Sequence, residues 1–255
     1  MILHPINNPK EKLCEGKKAT LGVFDDLIKD TNTSLIDQNH AIFTDRRFKR
    51  KSWIFTGIYT KDLYIGFAIV DAGYIAKAFS YVYIPSKNIH FEHGFDRVYG
   101  MKKDFSANLS DHWKLGNYEI IKKGNEISFT CTTKNYTLDM VVSLNTNGLS
   151  FVCPSEPKNR PFHFTYKNHL LPVRIKLKTK NESIQRADLF ASLDYSKGYP
   201  PHKTNWNWMS FTGQANQQTQ CGINLVDQFN DNMENFMWNL NICFHWVNIS
   251  KQKES

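Results

Sequence analysis

The segment DYSKGYPPHKTNWNWMSFTG, residues 194–213, concentrates side chains that can bind or transform a small molecule. It holds one carboxylate, one imidazole, two lysines and five aromatic rings around a Gly-Tyr-Pro-Pro turn. A plain turn needs only Gly, Pro and a polar residue, so this composition indicates a ligand site at the mouth of a strand. The residues of this segment that we predict to bind a ligand are Tyr199, His202, Lys203, Trp206 and Trp208.

Trp206 and Trp208 carry the apolar part of this prediction. Side chains alternate along a strand, so the two indoles point to the same side. Two Trp rings on one face form either a wall of the core, since Trp buries well in any barrel, or a platform for a ligand. The sequence leaves both interpretations open.

A second polar cluster lies in CGINLVDQFNDNMENFMW, residues 221–238. Asp and Asn in loops usually bond the nearby backbone, which accounts for residues 230–232. Glu234 and Asn235 come directly before an aromatic strand, where a carboxylate beside an amide suits a polar ligand group or proton transfer. Asp194 and Glu234 are therefore predicted as catalytic carboxylates, which glycosidases also use in pairs. The further predicted ligand-binding residues are Asn224, Asn235 and Trp238.

We predict no cofactor and no metal site. The sequence contains no Gly-rich dinucleotide or phosphate loop and no nucleophile elbow. His90, Glu92 and His93 fall in HFEHGFDR, which is not the HExxH pattern of zinc enzymes. The five cysteines are scattered and never form a CxxC pair, which argues against a disulfide framework and predicts a cytoplasmic protein.

The net charge of +8 does not by itself indicate a nucleic-acid partner. The one basic cluster is RRFKRK, residues 46–51, which is either a solvated strand edge or a clamp for an anionic group. Lysines and exposed aromatics are not interleaved on one module, so we predict no nucleic-acid binding. We also predict no membrane span and no secretory signal, because apolar runs of the required length are missing.

The pattern of the chain predicts an all-β, antiparallel fold. Beyond residue 40, apolar residues recur at every second position in a series of segments joined by short turns. In PVRIKLKTK, residues 172–180, apolar and basic residues alternate, as in a sheet with one buried and one solvated face. By contrast, residues 19–30 indicate a short helix, and residues 86–116 and 154–170 are predicted to be irregular.

The mainly meandering strand order favours up-and-down, lipocalin-type barrel units. We predict an N-terminal arm over residues 1–40, a first β-barrel unit over residues 41–165 and a second β unit over residues 166–255.

The two motifs DYSKGYPPHKTNWNWMSFTGQ and GINLVDQFNDNMENFMW resemble the core of a mostly bacterial family, domain of unknown function 2804. The segment DRRFKRKSWIFTGIYTKDLYIGFAIVDAGYIAKAF resembles the same family, so the resemblance covers most of residues 43–238. The family is similar to lipocalin-like proteins that include carotenoid hydratases and tocopherol cyclases. The resemblance implies tandem lipocalin-like, calycin-type units. The positions that match the family's motifs are Asp194, Gly198, Tyr199, Pro200, His202, Thr204, Trp206, Trp208, Asn224, Leu225, Glu234, Asn235 and Trp238.

The family pattern continues further beyond its Glu-Asn-x-x-Trp motif than this sequence does, so we expect the second unit to be shortened. Three functions remain open. The first is binding of an apolar small molecule such as a lipid or isoprenoid, with conversion by proton donation from Asp194 or Glu234 as its enzymatic form. The second is a structural or vestigial protein without a ligand, which would self-associate through unpaired strand edges. The third is a carbohydrate-binding or carbohydrate-active protein, because aromatic and acidic residues suit sugars equally well.

Overall fold

The computed structural model describes residues 6–37, 49–98, 108–109, 112–146, 148–155, 160–200, 205–216, 219–227 and 243–245. Most of these residues belong to β strands, and nearly all strand pairs are antiparallel, so the predicted all-β fold is confirmed. A helix of four residues, α1 (Ser34–Asp37), precedes the first long strand. In this part of the chain, no helix is long and apolar enough to cross a membrane.

Thirteen strands form one continuous sheet. They are β1 (Ile6–Asn7), β4 (Gly22–Asp25), β5 (Lys51–Tyr59), β6 (Tyr64–Asp71), β7 (Ile75–Ile84), β8 (Ile89–Val98), β9 (Trp113–Leu115), β10 (Tyr118–Lys123), β11 (Glu126–Thr132), β12 (Tyr136–Ser143), β13 (Leu149–Ser155), β14 (Arg160–Thr179) and β15 (Ser183–Gly198). A two-stranded sheet consists of β2 (Cys14–Glu15) and β3 (Lys18–Ala19). A three-stranded sheet consists of β16 (Asn207–Asn216), β17 (Thr219–Asp227) and β18 (Cys243–His245).

The main sheet curls into a nearly closed barrel. Its strand order is β8-β7-β6-β5-β15-β14-β12-β11-β10-β9, and its two halves face each other. The ring of Phe67 in β6 lies 5.3 Å from that of Tyr118 in β10 and 5.6 Å from that of Phe129 in β11, measured between centroids. His93 of β8 shares a 2.7 Å hydrogen bond with the Tyr118 hydroxyl. We call the side that carries Phe67 the core face and the opposite side the outer face.

The interior of the barrel is filled by side chains of the core face. Phe67, Trp113, Phe164 and Tyr195 are among the largest fully buried residues of the protein. They belong to one apolar cluster to which every long strand of the main sheet except β8 contributes buried residues. Close packing of this kind leaves the outer face as the surface on which a ligand site can be built.

The N-terminal segment packs against one end of the barrel. Strand β4 pairs with β13, and Leu13, Phe24, Ile28 and Ile36 join the apolar cluster. The predicted helix in residues 19–30 is therefore wrong. The segment contains β4 instead, because its backbone groups pair with a strand that is distant in sequence, and tertiary pairing overrides a weak local preference.

Two regions that we predicted to be irregular contain strands. Residues 89–98 form β8, in which Ile89, Phe91 and Phe95 alternate with other residues, but His93 interrupts the apolar series and most of the side chains are exposed. Strand β14 begins at Arg160, within a stretch whose prolines indicate a loop. The predicted boundary between residues 165 and 166 falls inside β14, and the main sheet is continuous across it. The division into an arm and two β units stays a prediction.

Strand β14 contains a bulge. Its register with β15 shifts between Asn168 and Leu171, and Leu170 has a φ of +56°. This left-handed conformation is unfavourable for a residue with a β-carbon, by about 1 kcal/mol or more. Bulges re-aim the neighbouring side chains and are frequent beside functional sites.

The β16–β17 hairpin covers part of the outer face. The Trp208 ring meets Phe55 of β5 edge to face, with the centroids 5.3 Å apart. The Thr212 hydroxyl lies 3.4 Å from Nδ1 of His169, next to the bulge in β14. The outer face is therefore enclosed near β14, β15 and β5, and more open toward β7 and β8.

A matched pair of substitutions tests the assignment of the two faces. Phe67→Ala removes a ring that is 0% exposed and is expected to lower the free energy of unfolding by about 3–5 kcal/mol. Phe79→Ala makes the same change on the outer face, where the residue is 37% exposed, and should cost clearly less. Urea denaturation measures both values. Equal losses would mean that the outer face is packed as tightly as the core.

Candidate functional site

A buried ion pair lies on the outer face where β14, β15 and β5 run side by side. The register places Lys167 opposite Asp194 and Asp194 opposite Phe55. Lys167 Nζ and Asp194 Oδ2 form the ion pair, and their side chains are 6% and 11% exposed. A charge pair of this kind is expensive to bury, so its position away from the apolar core marks this place as a candidate site.

Two hydroxyl groups hold the carboxylate of Asp194. Ser196 donates a 2.7 Å hydrogen bond to Asp194 Oδ1, and the Ser196 and Thr165 hydroxyls lie 2.6 Å apart. Because a carboxylate only accepts hydrogen bonds, Ser196 uses its hydrogen on Asp194 and must accept from Thr165. The chain of donors points toward Asp194 and fixes its orientation.

Trp208 joins the second predicted cluster to this ion pair. Its indole N–H donates a 2.7 Å hydrogen bond to Oδ1 of Asn224 in β17. Lys167 Nζ lies 5.9 Å from the centroid of the Trp208 ring, at the outer limit of a cation–π contact. The structure thus brings together three residues that the sequence singles out, namely Asp194, Trp208 and Asn224.

Two tyrosines and two glycines continue the site across the outer face. Gly57 and Gly66 are cross-strand neighbours. A β-carbon on Gly57 would lie 2.3 Å from the Tyr59 hydroxyl oxygen, and one on Gly66 would lie 2.2 Å from the Tyr81 ring. The rings therefore occupy the space that the glycines leave.

Tyr59 and Tyr81 are close enough to affect each other's ionisation. Burial raises the pKa of Tyr59 well above its usual value, and Tyr81 and the nearby charge of Asp194 raise it further. Burial also raises the pKa of Tyr81. Both groups are therefore neutral phenols near pH 7 that can donate hydrogen bonds.

His163 is a buried imidazole on the same face. Its ring stacks on Trp53, with the centroids 5.8 Å apart. Burial and, to a lesser extent, the positive charge of Lys167 lower the pKa of His163 to about 3, although Asp194 opposes the shift. His163 is therefore neutral over the whole range in which a histidine usually titrates.

Tyr199 lies elsewhere, on the core face. It is fully buried, and its hydroxyl donates a 2.5 Å hydrogen bond to Asp37, the carboxylate that also pairs with Arg50. Trp206 is 52% exposed and precedes β16. The remaining predicted site residues, His202, Lys203, Glu234, Asn235 and Trp238, lie outside the described residues, and the pairing of Asp194 with Glu234 stays a prediction.

The sequence analysis missed Lys167, Tyr59 and Tyr81. Each becomes part of the site only through pairing with strands that are distant in sequence. One signal was available for Lys167, because RPFHFTYK alternates aromatic and polar residues and ends on a lysine. Among the described residues, no three His, Cys, Asp or Glu side chains are close enough to hold a metal ion.

The lowered pKa of His163 gives a pH dependence with a defined sign. The unfolded chain takes up a proton near the ordinary pKa of 6.5, whereas the folded protein does so only near pH 3. The unfolded state therefore binds more protons in this window, and the free energy of unfolding falls as the pH is lowered from about 6.5. Below pH 6.5, His163 lowers the free energy of unfolding by about 1.4 kcal/mol per pH unit, which amounts to about 2 kcal/mol between pH 7 and pH 5. Urea denaturation of the wild type and of His163→Gln at both pH values measures it, and an equal loss in the variant would contradict this assignment.

Comparison with known proteins addresses the family and the fold. Residues 4–242 match the family described as Domain of unknown function (DUF2804). No curated protein matches the sequence. Kievitone hydratase from Nectria haematococca has a similar fold, with a TM-score of 0.54 and 11% identity over 86% of this chain and 68% of the hydratase.

A protein from Nitrosomonas europaea described as an AttH gives a TM-score of 0.48 and 11% identity over 72% of this chain. This chain spans 62% of the length of that protein. The similarity to the hydratase concerns the fold alone. The match over residues 4–242 shows that the chain belongs to the DUF2804 family.

Proposed function

We propose that this protein binds an apolar small molecule, such as a lipid or an isoprenoid, on its outer face beside Lys167 and Asp194. One observation carries the proposal. A buried ion pair with oriented hydroxyl donors lies among half-exposed aromatic rings, on the side of the sheet that does not form the core. A few polar groups among apolar walls are the usual composition of a small-molecule site.

The placement of the site follows from the packing of the barrel. The interior that a lipocalin uses for its ligand is occupied here by rings such as Phe67 and Tyr118. On the outer face, Phe79 and Trp208 are 37% and 38% exposed, so an apolar ligand can contact them without displacing the core. Their burial by the ligand is the main source of binding free energy.

An enzymatic form of this function needs a proton donor and a proton acceptor. Asp194 accepts hydrogen bonds from Ser196 and pairs with Lys167, which suits an acceptor or an anchor better than a donor to an alkene. The phenols of Tyr59 and Tyr81 can donate hydrogen bonds on this face, but their raised pKa values make them weak acids. Glu234 stays the predicted proton donor. A protein of similar fold is a hydratase, and a conversion without redox chemistry is the class of reaction that we propose here.

Native mass spectrometry of the purified protein, followed by release of bound molecules on denaturation, tests the proposal. We expect the wild type to carry a lipid or isoprenoid that organic solvent extracts. Asp194→Asn removes the partner of a buried ammonium beside the ligand and should lower the bound fraction severalfold.

The buried ion pair of Arg50 with Asp37 provides a control. Asp37→Asn removes the closer of the two carboxylates that pair with Arg50 on the core face, and we expect a loss of stability without a change in the bound fraction. An empty protein that forms mixed oligomers would support the ligand-free alternative. Stabilisation by oligosaccharides, in place of lipid, would support a carbohydrate-binding function.

A further inference from the structure

The ammonium group of Lys167 has a hydrogen-bond donor to spare. It carries three hydrogens, and its ion-pair partner among the described residues is Asp194. Even a fork to both carboxylate oxygens leaves one hydrogen of the ammonium for another acceptor. The Trp208 ring does not replace that acceptor, because its centroid lies 5.9 Å from Nζ, at the outer limit of a cation–π contact. A buried donor without an acceptor is unfavourable, so this place suits a ligand that supplies one.

The hydroxyl hydrogens beside the ion pair are already used. Ser196 donates to Asp194, and Thr165 donates to Ser196. Asp194 itself only accepts hydrogen bonds. The spare hydrogen-bonding capacity of Lys167 therefore calls for an accepting oxygen on the ligand.

The charge of the ion pair disfavours an anionic acceptor. Lys167 and Asp194 compensate each other, and both side chains are almost completely buried. A carboxylate on the ligand would add a second negative charge beside Asp194, while Lys167 is the one cation that pairs with Asp194 in the described part of the chain. Burying an uncompensated charge costs far more than burying a neutral polar group. The favoured acceptor is therefore neutral.

A carbonyl oxygen meets both conditions. It is neutral, it has two lone pairs, and it brings no hydrogen of its own. A hydroxyl oxygen also accepts, but its hydrogen then needs an acceptor as well. Asp194 already accepts from Ser196 and pairs with Lys167, so a hydroxyl competes for the same carboxylate. Of the neutral oxygen groups, the carbonyl fits this place with the least competition.

An apolar row leads from the ion pair across the outer face. Asp194 lies opposite Phe55 of β5, and Phe55 lies opposite Ala68 of β6. Ala68 in turn lies opposite Phe79 of β7, whose ring centroid is 6.4 Å from that of Phe55. The row ends at Phe79, which is half-exposed, so it opens to solvent. It spans three strand spacings, or about 14 Å, which is long enough for a medium alkyl chain.

From this juxtaposition we infer that the outer-face site selects an apolar carbonyl compound, such as a ketone, whose oxygen accepts from Lys167 while its chain lies along Phe55 and Phe79. This inference rests on the proposed function and specifies the ligand class. Lys167 is its specificity-determining residue. The site selects strongly against the fatty acid of the same chain length and more weakly against the alcohol.

Displacement of the dye diphenylhexatriene tests this inference with undecan-2-one, undecan-2-ol and undecanoate. The dye is a hydrocarbon and reports apolar binding alone, and the three competitors have equal chain length. We expect the ketone to displace the dye from the wild type at a concentration at least about tenfold lower than undecanoate does. The ketone concentration should also be about threefold lower than that of the alcohol. This comparison needs no variant.

A double variant identifies the donor. Lys167→Met alone would leave Asp194 buried and uncompensated, whereas Lys167→Met with Asp194→Leu replaces the whole pair by apolar side chains, a change that buried ion pairs often tolerate. We expect this double variant to keep the dye and to need at least about tenfold more ketone, because a hydrogen bond from a charged donor is lost. Lys29→Met with Glu11→Leu makes a similar change in an exposed ion pair of the N-terminal segment and is the control, expected to change neither value.

The outcomes separate the inference from the proposed function. If undecanoate or the alcohol displaces the dye as well as the ketone does, the site does not select a carbonyl but still binds apolar ligands. If the double variant at Lys167 and Asp194 keeps the wild-type affinity for the ketone, Lys167 is not the donor. If neither the dye nor any of the three compounds binds the wild type, as checked by calorimetry, the proposed function is wrong and the inference falls with it.

Discussion

The pairing of β5 with β15 is the constraint on which the structure depends. It joins two strands that are far apart in sequence and sets both faces of the sheet at once. On the core face it places Ile54 beside Tyr195, and on the outer face it places Phe55 beside Asp194. A slip of one residue would turn Asp194 into the core and Tyr195 out of it. The apolar cluster and the candidate site therefore share one register.

Arg50–Asp37 and Lys167–Asp194, two buried ion pairs in the described part of the chain, lie on opposite faces near this pairing and differ in their surroundings. Arg50 and Asp37 are tied to the N-terminal segment, and Asp37 also accepts from Tyr199 in the packed core. This pair fastens α1 to the end of the barrel. Lys167 and Asp194 instead lie on the outer face among rings, such as Trp208, that are more than one third exposed to solvent. Because of this contrast, we assign a structural role to the Arg50–Asp37 pair and propose a role in ligand binding for the Lys167–Asp194 pair.

The sequence predicts the strands that have one apolar and one polar face. Val173, Ile175 and Leu177 are buried and the basic residues between them are exposed, as the alternation indicates. Strand β8 escapes prediction because its side chains are mostly exposed, and β14 begins in a proline-rich stretch. For the site, composition identifies Asp194, Trp208 and Asn224. It does not identify Tyr59, and for Lys167 it offers only the alternation of RPFHFTYK, since the roles of both residues come from long-range pairing that local sequence does not encode.

The bulge at Leu170 also acts as a phase shift within a single strand. Before it, odd-numbered residues of β14 such as Lys167 point outward, and after it odd-numbered residues such as Val173 point into the core. One extra residue thus lets the same strand supply a polar site at one end and an ordinary core wall at the other. Deleting it would restore a uniform alternation along β14, and one half of the strand would then present its residues to the wrong side. The unfavourable φ of Leu170 is the local cost of combining both roles in one strand.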